Sequence, residues 1–243
     1  MELRDRVALV TGAGHRVGRA IALGLAGQGA RVAVHYNETA DGAQSVVASI
    51  RAQGGDAFAI AADLSDPRAA APLVAAVADH WGTFDVLVNS AGVMRRTPVG
   101  TVTPADWDAI FAINLRAPFF VAQAAATRMG TRGGAIVNIA DLAGLETWSA
   151  FVPHGISKAG VIQMTRALGH ALAPHIRVNA VAPGAVLLPA AWDAAATAHL
   201  VETTPLRRLG TPEDVVGAVL YLLQADYVTG ETIVVDGGRR VRV

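Results

Sequence analysis

The sequence has no cysteine, which excludes disulfide bonds, thiolate catalysis and zinc–thiolate sites. It also has no net charge, because 20 Lys and Arg residues balance 20 Asp and Glu residues. A neutral chain gives no electrostatic reason to expect nucleic acid or an acidic membrane as a partner. Histidines such as His170 and His199 have no partner at ligand spacing, so we expect no metal site. These absences leave a small molecule as the expected partner.

Long hydrophobic runs are missing as well. No apolar stretch approaches the roughly 20 residues that a membrane-spanning helix needs. The charged N-terminus, Met1–Arg6, lacks the apolar stretch and the small-residue cleavage site of a signal peptide. We therefore expect no membrane anchor and a cytoplasmic location.

Short apolar segments alternate with segments of helical periodicity along the whole chain of 243 residues. The predicted strands are Arg6–Thr11, Arg31–Tyr36, Ala57–Ala62, Val86–Asn89, Ala135–Ile139, Val178–Ala182 and Thr232–Val235. The predicted helices include Gly42–Ala52, Ala69–His80, Pro104–Met129, Ser157–Leu172 and Pro212–Gln224. Strict β–α alternation predicts a single α/β domain over residues 1–243. We expect a doubly wound Rossmann-type fold in which helices flank a parallel sheet of about seven strands.

A glycine-rich turn, Thr11–Gly18, follows the first strand and precedes the first helix. Glycines there let the backbone approach a pyrophosphate, and the helix N-terminus supplies unpaired N–H groups with a partial positive charge. The last glycine falls one residue later than in the G-x-G-x-x-G pattern, and a purely structural turn is the alternative. The position after the first strand of a β–α–β unit favours dinucleotide binding. The predicted cofactor contacts in this turn are Gly12, Gly14, His15, Arg16 and Val17.

The end of the second strand bears on the choice between NAD and NADP. NAD-binding Rossmann proteins tend to place an acid here to hold the ribose hydroxyls, whereas this chain has Tyr36 and then Asn37. A 2′-phosphate would meet no anion at these positions, and His15 and Arg16 could add positive charge. Glu38 lies nearby, and we interpret it as an exposed acid in the first turn of the next helix. The sequence therefore favours NADP over NAD, with Tyr36 and Asn37 as cofactor contacts.

Lys158 is the only lysine, since the other 19 of the 20 basic residues are arginine. Such a bias indicates a pressure that favours arginine wherever either residue serves. A compact ammonium differs from a planar guanidinium in its reach and in how its pKa responds to burial. The exception therefore predicts a site that needs an ammonium, and chance placement on a helix surface is the alternative.

Further landmarks follow the glycine turn: Ala62-Asp63-Leu64, Asn89-Ser90-Ala91-Gly92, Asn114, Pro183-Gly184, Val228–Gly230 and Val235–Gly238. In this order they resemble the short-chain dehydrogenase/reductase family over the whole chain. The resemblance implies that Asp63 contacts the adenine and that Val186 holds the nicotinamide carboxamide through its backbone. The further cofactor contacts that it implies are Leu64, Asn89, Ala91, Gly92, Lys158, Pro183 and Gly184. It also implies a homo-oligomer, either a dimer or a tetramer.

Three positions depart from the family pattern. Arg16 replaces a glycine, Asp141 replaces the catalytic serine, and Leu188 replaces a threonine after the sixth strand. The first two departures resemble the pteridine reductases and the related dihydrofolate and dihydromonapterin reductases. Pteridine reductases stack an aromatic ring on the pterin shortly after the fourth strand, where this chain has Met94. We expect Met94, Trp148 and Leu188 to border the substrate.

His154 stands where the family has its catalytic tyrosine, four residues before the lysine on the same helix face. In the family the lysine ammonium lowers the tyrosine pKa and holds the nicotinamide ribose, while the tyrosine passes a proton to the substrate oxygen. An imidazole, with an ordinary pKa of about 6.5, can also act as a general acid or base near neutrality. We therefore predict a catalytic relay of Asn114, Asp141, His154 and Lys158, in which Asp141 orients the imidazole.

Three functions are open at this point. The first is an NADP(H)-dependent reductase that transfers hydride to a carbonyl or to a cyclic imine such as a reduced pterin. The second, motivated by the missing tyrosine, is a catalytically silent dinucleotide-binding protein that acts as a redox sensor or an oligomer partner. The third is a plain carbonyl or 3-oxoacyl reductase, which differs from the first only in its pocket.

Overall fold

Seven parallel strands form one sheet in the computed structural model of the protein, which describes residues 1–188 and 193–241. The strands are β1 (Val7–Val10), β2 (Arg31–Tyr36), β3 (Ala57–Ala61), β4 (Val86–Asn89), β5 (Gly134–Ile139), β6 (Ile176–Pro183) and β7 (Thr232–Val235). Their order across the sheet is β3-β2-β1-β4-β5-β6-β7, and neighbouring strands are parallel. The predicted strands and the single doubly wound α/β domain are confirmed.

Helices cover both faces of this sheet. They are α1 (Arg16–Gly27), α2 (Ala40–Ala52), α3 (Ala70–Trp81), α4 (Pro104–Phe111), α5 (Ala117–Met129), α6 (Val152–Ala171), α7 (Ala194–Thr203) and α8 (Pro212–Gln224). Ile21, Val46 and Val219, from α1, α2 and α8, belong to one core cluster. Val77 and Val121, from α3 and α5, belong to the cluster on the opposite face. Burial on both faces explains why the strands are continuous apolar runs in the sequence.

The predicted helix Pro104–Met129 is divided into two helices. α4 ends at Phe111, and a π-helical turn, Ala112–Arg116, leads into α5. Turns of this kind are rare and are found mainly at functional sites. This turn carries Asn114, one of the predicted catalytic residues.

Two further helices differ from the sequence prediction. α6 begins at Val152 rather than Ser157, because Pro153 lies in the first turn, where a backbone N–H has no partner to lose. α7 was not predicted at all, and its described residues include no buried one. A helix without a buried apolar face gives no periodic signal in the sequence.

The continuous helical stretch Pro104–Arg132 is long and apolar enough, by length and composition alone, to cross a membrane. The expectation that no segment approaches this length was wrong, because it considered only uninterrupted apolar runs. The same stretch is 44% buried inside the protein over its most apolar window. Val121 and Ala125 pack against the sheet in the core, as they would in a helix of a soluble protein.

Candidate active site

The predicted site residues gather where the strand order reverses, between β1 and β4. In open parallel sheets, ligand crevices lie at the carboxyl ends of the strands beside such a reversal. The glycine turn follows β1, the Asn89–Gly92 segment follows β4, and Asp141 follows β5. Three chain segments that are distant in sequence therefore meet at one edge, together with the start of α6.

The glycine turn and the segment after β4 are held against each other. The Thr11 hydroxyl accepts hydrogen bonds from the N–H groups of Ser90 and Ala91, each at 3.0 Å. Gly12 has φ +64°, and a Cβ there would lie 2.8 Å from the Ala91 Cα. Only glycine meets both demands, because an added side chain would be strained in φ and would also push the two segments apart.

Gly14 faces helix α2 rather than an open cleft, since a Cβ there would lie 2.5 Å from the Thr39 hydroxyl oxygen. A cofactor contact of Gly14 is therefore confined to its main chain. The N–H groups of Arg16 and Val17 lie in the first turn of α1, where helix geometry leaves them without a partner inside the helix. These are the donors to which an anionic ligand can bind.

Arg16 links two walls of the cleft. Its guanidinium donates a hydrogen bond to the carbonyl oxygen of Leu187, in the segment after β6. Arg16 also has φ +51°, a left-handed conformation that costs a residue with a side chain about 1 kcal/mol. His15, beside it, is exposed.

The tip of β2 carries no acid at the position that distinguishes NAD from NADP. Tyr36 is half-buried, and Asn37 and Glu38 are exposed. The interpretation of Glu38 as a first-turn helix residue was wrong, because α2 begins at Ala40 and its first-turn acid is Asp41. Glu38 precedes the helix and is the acid next to the strand tip in the sequence.

Asp63 and Leu64 follow β3 and differ in exposure. Asp63 is exposed, and its carboxylate accepts the N–H of Ser65 at 2.8 Å. Leu64 is buried in the core cluster beneath α3. The side chain of Leu64 is thus committed to packing, and any contact with a cofactor is confined to its backbone.

The side chain of Asn89 is buried and makes its hydrogen bonds inside the protein. Its amide donates to the Asn138 side-chain oxygen at 2.9 Å and to the Pro118 carbonyl at 3.2 Å, and all of these groups are buried. Asn89 therefore ties β4 to β5 and α5. Ala91 and Gly92 lie further along the same segment, and Gly92 is exposed.

The segment after β6 presents its main chain to the cleft. Pro183 ends the strand and is buried, and the N–H of Gly184 donates to the Val235 carbonyl at 2.9 Å. Val186 is buried in the core. The implied nicotinamide contact of Val186 is consistent with this burial only if it is made by the backbone.

The predicted catalytic residues are brought together around α6. His154 and Lys158 lie one helical turn apart and are 3% and 7% exposed. The side-chain amide of Asn114, from the π-helical turn, lies 3.3 Å from His154 Nδ1 and 3.1 Å from the Ser157 hydroxyl. The oxygen of that amide accepts the N–H of Val93 at 2.8 Å.

The hydrogen bonds around His154 favour a proton on Nδ1. The Asn114 amide has two hydrogens, and its two shorter contacts are the Val93 carbonyl at 2.9 Å and Ser157 at 3.1 Å. Nδ1 then finds its own acceptor in the Val93 carbonyl, 3.2 Å away. Nε2 is left as the nitrogen that is free to exchange a proton.

Asp141 lies beside Nε2 rather than behind the ring. One carboxylate oxygen is 3.6 Å from Nε2, while the other accepts the N–H of Ala143 at 2.8 Å and caps a short 3₁₀ turn. Nε2 itself is buried and has no hydrogen-bond partner among residues 1–188 and 193–241. Because unpartnered buried polar atoms are rare in native proteins, Nε2 is a candidate contact for a ligand. The predicted orienting role thus belongs to the Val93 carbonyl, and Asp141 adds negative charge at the exchanging nitrogen.

Lys158 is held at the bottom of the cleft. Its ammonium donates to the Ile139 carbonyl at the end of β5, at 2.7 Å. Burial lowers the pKa of Lys158 from its ordinary value, and the charge of Asp141 partly opposes this. No group of three His, Asp or Glu side chains that could hold a metal occurs within the described ranges.

The predicted substrate contacts lie on the rim. Met94 is 49% exposed, and Trp148 and Leu188 are half-buried. The segment after β4 is joined to the segment before α6 by a hydrogen bond from the N–H of Thr97 to the Ala150 carbonyl, at 2.8 Å. This bond brings the stretches that carry Met94 and Trp148 to one side of His154.

Comparison with known proteins identifies the family. Residues 12–240 match the family model described as enoyl-(acyl carrier protein) reductase. A 3-oxoacyl-[acyl-carrier-protein] reductase from Synechocystis sp. is 36% identical, with 97% of each chain covered. An L-rhamnose 1-dehydrogenase (NAD(P)(+)) from Sphingomonas sp. is 36% identical, with 99% of this chain and 98% of the relative covered. The chain belongs to the short-chain dehydrogenase/reductase family.

A solved structure of another member has the same fold. The dehydrogenase/reductase from Sinorhizobium meliloti 1021 superposes with a TM-score of 0.92 at 35% identity, covering 98% of this chain and 97% of that one. The protein is therefore an oxidoreductase of the short-chain type, a family that uses a nicotinamide dinucleotide. The resemblance to pteridine reductases is not reproduced among these relatives, which are named as a 3-oxoacyl-[acyl-carrier-protein] reductase, an L-rhamnose 1-dehydrogenase and a dehydrogenase/reductase.

The residues present fit that cofactor class. The glycine turn offers the free donors of α1, and Lys158 supplies a buried cation at the far end of the cleft. A Cβ at Gly92 would lie 3.7 Å from the Lys158 ammonium and 3.4 Å from the Asn114 side-chain oxygen. The bare backbone at Gly92 thus keeps a side chain away from both groups.

Three site residues escaped the sequence reasoning. Val93 contributes only its backbone, which no residue type reveals. Ser157 bonds Asn114 and the His154 carbonyl from inside a helix, where serine carries no distinctive signal. His35 lies inside the predicted strand Arg31–Tyr36 and received no role from the sequence, yet its ring contacts the glycine turn. A histidine in an otherwise apolar strand was the one signal that could have identified it.

Proposed function

We propose that the protein is an NADP(H)-dependent reductase of carbonyl substrates in which His154 takes the place of the family's catalytic tyrosine. The observation that carries this proposal is the buried pair of His154 Nε2 and the Lys158 ammonium, one helical turn apart at the carboxyl edge of the sheet. Nε2 has no hydrogen-bond partner in the part of the chain that the structure describes, and the lysine is the only one in the sequence.

Each catalytic residue has a distinct task in this proposal. Lys158 holds the nicotinamide ribose and keeps positive charge beneath it. The Val93 carbonyl fixes the Nδ1 proton of His154, so Nε2 is the atom that passes a proton to the substrate oxygen. Asp141 stabilises the imidazolium form, and Asn114 holds the Val93 loop. When bound, NADPH would supply the hydride to the carbonyl carbon.

The same arrangement supports a second substrate class. The names of the relatives favour a ketone, a 3-oxoacyl thioester or a sugar as the substrate. Arg16 in the glycine turn and Asp141 beside the imidazole favour a cyclic imine such as a dihydropterin. A cyclic imine is more basic than a ketone and would gain from a carboxylate near the proton donor.

Turnover distinguishes this proposal from a silent dinucleotide-binding protein. NADPH consumption is measured with 3-oxoacyl thioesters, ketones, quinones, sugars run in the oxidative direction with NADP⁺, and dihydropterins, beside a binding titration. We expect turnover on one class and loss of it in His154→Phe. Tight binding without turnover on any substrate, together with a gain of activity in His154→Tyr, would establish the silent function instead.

The preference for NADP rests on the absence of an acid at Tyr36 and Asn37 and on the nearby cations His15 and Arg16. We expect a lower Kd for NADPH than for NADH. Glu38 is the group that opposes this preference, so Glu38→Gln should tighten NADPH binding more than NADH binding. Equal affinities for both cofactors, unchanged in Glu38→Gln, would contradict the assignment.

A homo-oligomer, a dimer or tetramer, and a cytoplasmic location also belong to the proposal. Support for the oligomer comes from an apolar surface on α4, α5 and α6, in which Trp107 and Phe119 are each 39% exposed beside Phe111 and Met164. Exposed aromatic clusters of this kind mark contact surfaces. Light scattering of the wild type and of Phe119→Glu tests the oligomer, and cell fractionation tests the location.

A further inference from the structure

His35 is buried near the end of β2, and both of its ring nitrogens are hydrogen bonded. Nδ1 lies 3.1 Å from the backbone nitrogen of Gly12, and Nε2 lies 3.1 Å from the Ala62 carbonyl. A backbone N–H can only donate and a carbonyl can only accept. Nδ1 must therefore carry the lone pair and Nε2 the proton, so the site selects one neutral tautomer.

The backbone of His35 reinforces the same contact, because its carbonyl accepts the N–H of Ala13 at 2.8 Å. One residue thus takes two successive donors of the glycine turn, at Gly12 and Ala13. The free donors of the turn are then those further along, at the start of α1. His35 also binds the carbonyl of Ala62, directly before Asp63, and so joins two segments that border the proposed cofactor cleft.

We propose that neutral His35 is a positioning residue that fixes the glycine turn in its cofactor-binding shape, and that its protonation releases the turn and weakens cofactor binding in acid. The part of this inference that concerns cofactor binding rests on the proposed function. A protonated Nδ1 would place an N–H against the N–H of Gly12. The turn would then lose an acceptor inside a closely packed site, where even a Cβ on Gly12 would lie 2.8 Å from the Ala91 Cα.

The surroundings of His35 favour the neutral ring. Burial lowers its pKa from the ordinary 6.5, and the Ala62 carbonyl only partly opposes this. The titratable and charged side chains on its own strand end and on the segments packed against it are His15, Arg16, Tyr36, Glu38, Asp41 and Asp63. Within the described part of the chain none of them hydrogen bonds to the ring, so no carboxylate is in place to stabilise an imidazolium.

Two variants separate the two hydrogen bonds. His35→Asn places an amide oxygen where Nδ1 was, which preserves the acceptor for Gly12 and is not protonated between pH 5 and pH 8. His35→Gln places its amide nitrogen where Nε2 was, which preserves the bond to Ala62 and removes the acceptor for Gly12. The control is His170→Asn, at an exposed histidine near the end of α6.

The first measurement is the Kd for NADPH and for NADH between pH 5 and pH 8. In the wild type and in His170→Asn we expect binding to weaken about tenfold in acid, and in His35→Gln to be about tenfold weaker at every pH. His35→Asn should retain the neutral-pH affinity and lose the acid effect. Protonation of the cofactor's own phosphate also changes the Kd with pH. This effect is the same for every variant, because each variant is compared with the wild type on the same ligand.

The second measurement needs no cofactor. Ring-nitrogen and backbone amide NMR signals of the free protein should show His35 as the Nε2–H tautomer, with the Gly12 amide following the same midpoint, below pH 6.5. An Nδ1–H tautomer, or a Gly12 amide indifferent to the His35 titration, would overturn the inference. So would cofactor binding that is identical in the wild type and both variants. If the NMR coupling is present but neither NADPH nor NADH binds, the proposed function fails and only the link between ring and turn stands.

Discussion

The nucleotide half of the molecule, β1–β3 with α1 and α2, contrasts with the catalytic half, β4–β6 with α4–α6. In the nucleotide half both ring nitrogens of His35 find hydrogen-bond partners within the protein. In the catalytic half the ring of His154 has one partnered nitrogen and one without a partner. A buried polar group whose hydrogen bonds are all made holds the surrounding segments in place. A buried polar atom without a hydrogen bond can instead bind a ligand. In our proposal the first histidine positions the cofactor and the second reacts.

The largest effect is expected when the cation of the catalytic half is removed. Lys158→Met keeps the length of the side chain but removes the ammonium, so we expect kcat/KM to fall roughly 10³-fold and NADPH to bind more weakly. Steady-state kinetics and a binding titration measure both. Lys158→Arg is the matched control, and it should also fail, because a guanidinium is larger and cannot make the single contact with Ile139 in the same space. If Lys158→Met kept activity within threefold of the wild type, the catalytic half would not depend on this ammonium, and the contrast between the two halves would fail.

Removing the unpartnered nitrogen should have the next largest effect. His154→Phe preserves an aromatic ring but not the proton, and we expect kcat to fall about 10²-fold with little change in the Kd for NADPH. His154→Tyr restores a proton donor with an ordinary pKa of about 10 in place of about 6.5. The pH–rate profile should shift upward accordingly. If the wild-type profile is flat from about pH 6 to about pH 9, His154 is not the general acid.

A change in the nucleotide half should affect shape before chemistry. In Gly12→Ala the added Cβ is strained at φ +64° and lies 2.8 Å from Ala91. We expect about 1–3 kcal/mol of lost stability and about tenfold weaker cofactor binding. Gly54→Ala is the control, since it has φ +80° with no atom within 4 Å of the added Cβ. Thermal unfolding should show a smaller loss of stability in Gly54→Ala than in Gly12→Ala. Equal losses of stability would mean that the contact with Ala91 does not cause the destabilisation.

The smallest effect is expected at Asp141. Asp141→Asn keeps the cap on Ala143 and removes the charge that raises the pKa of Lys158, so the pKa of this already depressed lysine should fall further. We expect a few-fold loss of kcat at neutral pH that grows as the pH rises. Because the chain has one lysine, protein with ¹³C-labelled lysine gives a single side-chain signal that reports this pKa directly. An unchanged lysine midpoint in Asp141→Asn would contradict the coupling.

The sign of the lysine effect on stability follows from the same shift. The folded pKa of Lys158 is lowered, so the unfolded chain binds more protons between that value and 10.5. The contribution of Lys158 to the free energy of unfolding should therefore increase as the pH rises through this window. Lys158→Met should abolish this contribution, which denaturant unfolding at several alkaline pH values measures.

Much of the nucleotide half could be predicted from the sequence. The strands and the Thr11–Gly18 turn follow from short-range patterns, because β–α alternation and glycine placement act within a few residues. Boundaries were less predictable. Glu38 was predicted to lie in the first turn of α2, but it precedes the helix, which begins at Ala40. α6 was predicted to begin after His154 and begins before it.

The geometry of the catalytic half was not predictable in the same way. Residue identity placed Asn114, Asp141, His154 and Lys158 in one site, through the family pattern and the single lysine. It did not reveal that the Val93 carbonyl faces Nδ1 or that Asp141 lies beside Nε2. Backbone groups have no residue-specific signal, and these contacts join positions far apart in the chain.

The sequence by itself determined the alternation of strands and helices, the anion-binding turn and the one position reserved for an ammonium, since each depends on local pattern or composition. Only the tertiary structure decided which buried polar atoms have hydrogen-bond partners. That outcome depends on distances between segments that the sheet order brings together, as when β1 and β4, 76 residues apart between Val10 and Val86, become neighbours. For this reason His35 and His154, alike as residues, have opposite roles in the fold.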